Sequence, residues 1–184
     1  MYFLCNSFRQ ASLASIMNEL LVIGIGNPDR GDDAIGLIIA RRLAPLLSQV
    51  ARVIERTGDA LGLLEDWSDA GVVILIDAAA RATRPGVIHR VDLVRDPLPV
   101  DLAPASTHAF GLTDAIALAR SLRLLPREAI LYAIEGNCFD LAAPVTPAVL
   151  EAVDEVVACV RRDLQGRPRD SIVPPRPGTR LCGK

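Results

Sequence analysis

Three aspartates fall within five residues of one another in the segment 24–36, which reads GIGNPDRGDDAIG. Asp29, Asp32 and Asp33 follow two glycines that allow a tight turn, and apolar residues at helical spacing begin directly after them. Carboxylate oxygens beside such a turn suit a metal ion or another cationic group. For Asp29 and Asp32 the alternative is a purely local role, because aspartate also stabilises turns and caps helices.

Two further residues that can bind metal stand at similar junctions. Asp77 follows the apolar run GVVILI, and His108 follows Ser106 and Thr107, either of which can cap a helix. The N-terminus of a helix disfavours a protonated imidazole, so we expect His108 to stay neutral, the form that binds metal. Together with Asp33, these residues supply two carboxylates and one imidazole, which leave positions open on a divalent ion as catalytic sites do. Isolated caps are the alternative that spacing alone leaves open.

Apolar runs and helical patterns alternate along most of the chain. Strands are predicted at 20–25, 52–55, 71–76, 87–93 and 129–134, and helices at 34–47, 60–67, 106–124 and 146–164. This alternation predicts an α/β fold, a three-layer sandwich with a twisted, mainly parallel sheet of about five strands and helices on both faces. Ligands of such folds bind at the carboxyl ends of the strands, where the strand order reverses. We therefore expect Asp33, Asp77 and His108 to converge there.

The segment between the third strand and the next helix carries one more histidine. His89 lies on the same predicted strand face as Val87, Val91 and Leu93. A lone histidine in such a strand is usually structural or solvated, and we expect this of His89. The loop 95–105 that follows contains three prolines and is a candidate wall of a substrate site.

The first turn also resembles the start of a dinucleotide-binding motif, since a Gly-x-Gly follows a strand and precedes a helix. The third glycine of that motif would fall at Asp29, where an anionic side chain would face the pyrophosphate. No Gly-Lys-Ser or Gly-Lys-Thr follows, which excludes a P-loop. A nucleotide site is therefore disfavoured.

Composition limits the classes of partner. The 184 residues are 51% hydrophobic, enough for one well-filled core. Twenty basic and 22 acidic residues give a net charge of -2, which favours neither nucleic acid nor a membrane surface as a partner. The four cysteines are scattered without a Cys-x-x-Cys pair, so reduced thiols and a cytoplasmic location are expected.

Both ends of the chain differ in character from its middle. Residues 1–17 contain no long apolar stretch and end at Met17, directly before the first strand, so we expect a loosely ordered extension rather than a secretory signal. Residues 165–184 are rich in proline, arginine and glycine, which predicts a disordered tail. Residues 18–164 are predicted to form a single α/β domain.

Four segments together resemble the hydrogenase maturation endopeptidases, which remove a C-terminal peptide from the large subunit of nickel-iron hydrogenases. They are GIGNPDRGDDAIG, VVILIDA ending its strand at Asp77, STHAFGLTDAIALA around His108, and LAAPVTPAVLEAV before the last helix. They occur in the family order across nearly all of the predicted domain. No single segment is highly specific, whereas the four together are.

The resemblance implies that Asp33, Asp77 and His108 bind metal and form the centre of an aspartic-type, metal-dependent endopeptidase. The ion would be nickel, supplied by the hydrogenase large-subunit precursor, with zinc or cadmium as surrogates, and the protein would act as a monomer. Some members of the family have glutamate at the position of Asp33. A non-catalytic nickel-binding chaperone for hydrogenase assembly is the alternative, while Cys138, on a loop without an assigned base, is a weaker candidate for a nucleophile.

Overall fold

The computed structural model describes residues 20–80, 84–99 and 111–165. The strands are β1 (Leu20–Ile25), β2 (Arg52–Arg56), β3 (Val72–Ala79), β4 (Ile88–Asp92) and β5 (Glu128–Glu135). The helices are α1 (Ile35–Leu47), α2 (Ala60–Trp67), α3 (Leu112–Leu122) and α4 (Pro147–Gln165), and a 3-10 turn at Gly31–Ala34 precedes α1. The predicted extension 1–17 and tail 165–184 lie outside the described residues except for Gln165, so both stay predictions.

The five strands form one sheet in the order β2-β1-β3-β5-β4. All neighbouring pairs are parallel except β4, which runs antiparallel to β5. This confirms the predicted, mainly parallel sheet. The strand order reverses between β1 and β3, so the crevice that binds ligands in such folds lies at the carboxyl ends of these two strands.

Helices cover both faces of the sheet and make it the middle of three layers. One face packs against α2 and α3 through a core that includes Leu63, Trp67 and Ile116. The other face packs against α1 and α4 through residues such as Ile39 and Val156. No helix within the described ranges is long and apolar enough to cross a membrane.

Strand β3 differs from its prediction. The sequence predicts that the strand stops at Ile76, whereas it continues to Ala79 and all eight of its residues are buried. Asp77 is therefore inside the strand, where it pairs with Ala133 of β5. The prediction was wrong because the ladder is made by backbone groups, which an acidic side chain does not interrupt.

Helix α3 begins at Leu112, directly after Gly111, whose backbone N–H donates to Asp114 at 3.1 Å. The predicted start at residue 106, with Ser106 or Thr107 as the cap, was wrong, because Gly111 is the N-cap and its extended backbone begins the helix at Leu112. His108 is three positions before this N-cap and outside the described residues, so only its place in the site stays a prediction. By contrast, α2 has the predicted bounds, and the side chain of Asp59 caps it by accepting from Gly62 N–H at 2.8 Å.

Two glycines allow α1 to approach the crevice. A Cβ atom at Gly36 would collide with the carbonyl oxygens of Ile25 and Ile76, the last of which directly precedes Asp77. Gly26 has a φ of 149°, which residues with a side chain rarely adopt, and its Cα faces the carbonyl of Asp33. Because neither position has a side chain, the turn that carries Asp33 can lie directly against the ends of β1 and β3.

Candidate functional site

Asp33 and Asp77 meet at the reversal of strand order. Asp33 lies in the 3-10 turn after β1, and Asp77 lies near the end of β3. Both are almost fully buried, at 2% and 1% exposure. The negative charge of Asp33 helps raise the pKa of Asp77, which places the two carboxyl groups within electrostatic reach of each other. The structure thus brings together two of the three residues predicted to bind metal.

The carboxyl group of Asp77 has few hydrogen-bond donors. Its Oδ1 accepts from the backbone N–H of Ala78 at 2.8 Å. Its Oδ2 is buried and accepts no hydrogen bond from the described parts of the chain. Burial, then the charge of Asp33, raises the pKa of Asp77 to about 8, against the opposing effect of the Ala78 N–H. Such a carboxyl group would be ionised and stabilised by a cation placed beside it.

A cationic side chain accompanies the pair. Arg30 Nη1 lies 3.8 Å from Oδ2 of Asp33, and Arg30 Nη2 donates to the carbonyl of Phe139 at 3.2 Å. Within the described ranges, no three histidine, cysteine, aspartate or glutamate side chains gather as a metal-binding group. The described part therefore contains two of the three predicted metal ligands, and the third, His108, lies outside it.

Asp32 has a different role from its neighbour. The sequence suggests a helix cap, but the 3-10 turn and α1 have no side-chain cap. Instead Asp32, which is fully buried, accepts backbone hydrogen bonds from Asn137 and Cys138 at 3.0 Å and from Thr146 at 2.7 Å. The cap prediction was wrong because the donors come from a loop more than 100 residues away. That loop, between β5 and α4, spans residues 136–146.

Backbone contacts join the same loop to the acidic turn, residues 26–34. Asp32 N–H donates to Cys138 at 2.7 Å, and Gly31 N–H donates to Ala143 at 3.1 Å. Ala142 N–H donates to Asp29 at 2.7 Å, so the exposed Asp29 contributes its backbone here. The thiol of Cys138 contacts no hydrogen-bonding base in the described residues, in line with its weak candidacy as a nucleophile.

A polar pair lies on the same edge of the sheet and was not predicted. His89 Nε2 lies 2.7 Å from Oε1 of Glu135, the last residue of β5. The Glu135 side chain is 4% exposed and also accepts from Arg84 N–H at 3.1 Å, whereas the His89 side chain is 29% exposed. The sequence signal was a glutamate that ends an otherwise apolar strand, but its partner became visible only from the strand register.

Comparison with known families supports the resemblance. The profile of the hydrogenase maturation protease family matches residues 43–162, about two thirds of the chain. This chain belongs to the hydrogenase maturation protease family. The matched range includes the predicted site residues Asp77 and His108, whereas Asp33 precedes it.

Individual members are similar over most of the chain. A hydrogenase 2 maturation protease from Escherichia coli is 26% identical over 168 residues, covering 84% of this chain and 98% of that protein. A hydrogenase expression/formation protein HupD from Thiocapsa roseopersicina is 23% identical over 76% of this chain. The chain spans 64% of the length of that HupD.

Solved structures of this protease family share the fold. The hydrogenase maturating endopeptidase HybD from E. coli superposes with a TM-score of 0.65 at 21% identity, covering 80% of this chain and 93% of that one. At this identity the likeness concerns the fold. It confirms the predicted α/β class.

Proposed function

We propose that this protein is an endopeptidase that removes the C-terminal peptide of a nickel-iron hydrogenase large-subunit precursor. In this proposal, Asp33, Asp77 and His108 contact the nickel ion already inserted in the precursor. Nickel thus arrives as part of the substrate. Membership of the maturation protease family supports a role in processing, and the local chemistry of the two aspartates supports contact with a cation.

The observation that carries the proposal is the buried Oδ2 atom of Asp77, which accepts no hydrogen bond from the described residues. A buried carboxyl oxygen without a described donor is costly in a folded protein, since most buried polar atoms have a partner. Asp77 bears this cost beside a second buried carboxyl group, at the point of the sheet where such folds bind ligands. Perturbed acids gathered in this way are typical of functional sites.

The two aspartates would have distinct tasks towards the ion. Asp77 lies on a central strand buried on both faces and fixes one ligand position rigidly. Asp33 lies on the acidic turn, which the contacts with residues 136–146 hold in place. When bound, the ion supplies a positive charge that could polarise a carbonyl group or a water molecule. Arg30 partly offsets the charge of Asp33 before the substrate arrives.

The test is processing of purified precursor by the full chain. We expect nickel-loaded precursor to lose its C-terminal peptide, seen as a lower mass on a gel or by mass spectrometry, and nickel-free precursor to stay intact. Efficient cleavage of nickel-free precursor would contradict recognition of nickel. Stable binding of loaded precursor without any cleavage would instead favour the assembly chaperone.

A further inference from the structure

We propose that His89 is a substrate-binding residue, with Glu135 as the residue that positions its imidazole ring. This inference rests on the proposed function and adds a second contact for the same substrate. It starts from strand register. Asp77 pairs with Ala133, and Ala133 in turn pairs with His89. Directly paired residues of neighbouring strands have their side chains on the same face, so His89 and Asp77 share the α2 and α3 face of the sheet.

The register also gives a distance. Neighbouring strands lie about 4.8 Å apart, so the Cα atoms of Asp77 and His89 are separated by about 10 Å. An extended peptide advances roughly 3.4 Å per residue, and such a span corresponds to about three residues. A polypeptide that reaches Asp77 can therefore reach His89 with a residue about three positions away. This distance fits binding of the substrate chain rather than proton transfer at the metal.

The chemistry of the ring fits the same role. A carboxylate only accepts hydrogen bonds, so Nε2 of His89 carries the hydrogen that faces Glu135. In the neutral ring, Nδ1 is then an acceptor, and it has no hydrogen-bond partner within the described ranges. Asp33, Asp77 and Glu135 are buried acids at the same edge of the sheet, so no cationic group of theirs competes for this acceptor. The matching group on the substrate is a donor, such as a backbone N–H, a hydroxyl group or an amine.

The ring is held in place before any substrate binds. Glu135 is buried and receives a second hydrogen bond from Arg84 N–H at 3.1 Å. Its own backbone carbonyl accepts from Gly86 N–H at 2.7 Å. The ring is thus fixed at one edge while 29% of the side chain stays exposed. A fixed and partly exposed acceptor binds a donor with little loss of side-chain entropy.

Two substitutions separate substrate binding from a purely structural role. In His89→Gln, the terminal amide lies near the former Nε2 and can still donate to Glu135, but the acceptor at Nδ1 is lost. In His89→Asn, the shorter amide lies near the former Nδ1 and the contact with Glu135 is lost. If His89 binds substrate, His89→Gln keeps the melting temperature and raises KM about three- to tenfold with kcat nearly unchanged. His89→Asn should lower the melting temperature and keep KM closer to that of the wild type.

The matched control is Arg90→Gln. Arg90 is the next residue on β4, faces the opposite side of the sheet and pairs with Asp163 at 2.9 Å. The substitution Arg90→Gln should leave KM unchanged. A wild-type KM for His89→Gln would overturn the inference, and so would an equal rise of KM in Arg90→Gln.

Failure of the proposed function would look different. If the wild-type protein binds nickel-loaded precursor without cleaving it, the proposed function is wrong. The variants are then compared by the Kd of the uncleaved precursor, measured by calorimetry, instead of by KM. A wild-type protein that does not bind the precursor overturns both proposals. Normal processing with a wild-type KM in His89→Gln removes only the role of His89.

Discussion

Asp32 and Asp77 are both fully buried, yet their surroundings differ. Three backbone N–H groups, all from the loop 136–146 and its edge, donate to the carboxylate of Asp32. The carboxyl group of Asp77 accepts only from Ala78 within the described residues, and its pKa is raised to about 8. Burial alone therefore does not identify a functional acid. The number of donors does, because Asp32 already uses three of the roughly four lone-pair positions of its carboxylate, whereas most of those of Asp77 are unused.

The comparison is sharpest at two adjacent positions. Asp32 and Asp33 follow each other in the 3-10 turn, with side chains that point to different surroundings. Asp32 joins the turn to a distant loop, whereas Asp33 acts electrostatically on Asp77. One turn thus contains a residue that stabilises the structure and a residue of the proposed site.

The largest expected effect is the loss of precursor processing in the variants Asp33→Asn and Asp77→Asn. Each amide keeps the size of the side chain but removes the charge that would contact the ion. We expect cleavage of nickel-loaded precursor to fall at least about 10³-fold, as for other groups that act as one unit. His108→Ala should have the same effect if the family resemblance holds for that position. Time courses of peptide release measure this loss.

Asp29→Asn is the matched control for these variants. Its side chain is exposed on the same turn, and its contact with Ala142 is made by the backbone carbonyl. Processing should stay near the wild-type rate. Wild-type activity in Asp33→Asn or Asp77→Asn would remove that residue from the proposed site.

Asp32→Ala should instead reduce stability. The substitution leaves three buried N–H groups without their acceptor, and each such loss costs about 1 kcal/mol or more. We expect the free energy of unfolding to fall by about 3–4 kcal/mol, measured by urea denaturation. Asp32→Asn should cost less, since the amide oxygen can still accept. An unchanged stability of Asp32→Ala would show that the two acids do not differ as described.

The pH dependence of stability should reveal the buried carboxyl group of Asp77 without any substrate. Asp77 keeps its proton in the folded protein up to a pKa of about 8, whereas in the unfolded chain it ionises near 3.8. Between these values the folded state binds more protons, so stability falls as pH rises, by up to about 1.4 kcal/mol per pH unit. This contribution is constant below about pH 4 and above about pH 8.

Asp77→Asn should abolish this contribution. We expect the variant to resemble the wild type near pH 4 and to be more stable near pH 8 by several kcal/mol, in unfolding titrations at several pH values. The variant that loses activity would thus gain stability at neutral and alkaline pH. Equal slopes of stability against pH in the two proteins would argue against a perturbed Asp77.

The smallest expected effect is the binding of nickel ions to the isolated protein, without the precursor. Two carboxylates and one imidazole provide few ligands and no thiolate, so we expect the isolated protein to bind nickel with a Kd weaker than about 1 μM. Affinity should fall on acidification, because protons compete for the imidazole of His108 and for Asp77. Calorimetric titration of wild type and His108→Ala measures this. Tight binding that is unaffected by the substitution would place the ion elsewhere.

Local signals allowed much of the fold to be predicted. Helix α2 has the predicted bounds because Asp59 supplies a cap and the apolar spacing that follows is regular. The meeting of Asp33 and Asp77 followed from a general property of parallel sheets, namely that the carboxyl ends of neighbouring strands lie together. These features depend on a few residues in sequence or on chain topology.

The remaining features depend on pairs that are distant in sequence. Asp32 and Thr146 are 114 residues apart, and nothing around Asp32 indicates that its carboxylate binds a loop rather than a helix end. The contact of His89 with Glu135 likewise requires the register of β4 on β5. The residue type at each position indicates which hydrogen bonds its side chain can make, but only the three-dimensional structure shows with which residue it makes them.

The long separation between Asp32 and its donors has a consequence for the order of folding. Contacts between residues more than 100 positions apart cannot form until both ends of that stretch have been synthesised. During synthesis, β1 and α1 leave the ribosome long before Asn137 and Thr146 exist. The turn that carries Asp33 therefore gains its full support only after nearly the whole domain has been made, so that an incomplete chain lacks a properly shaped site.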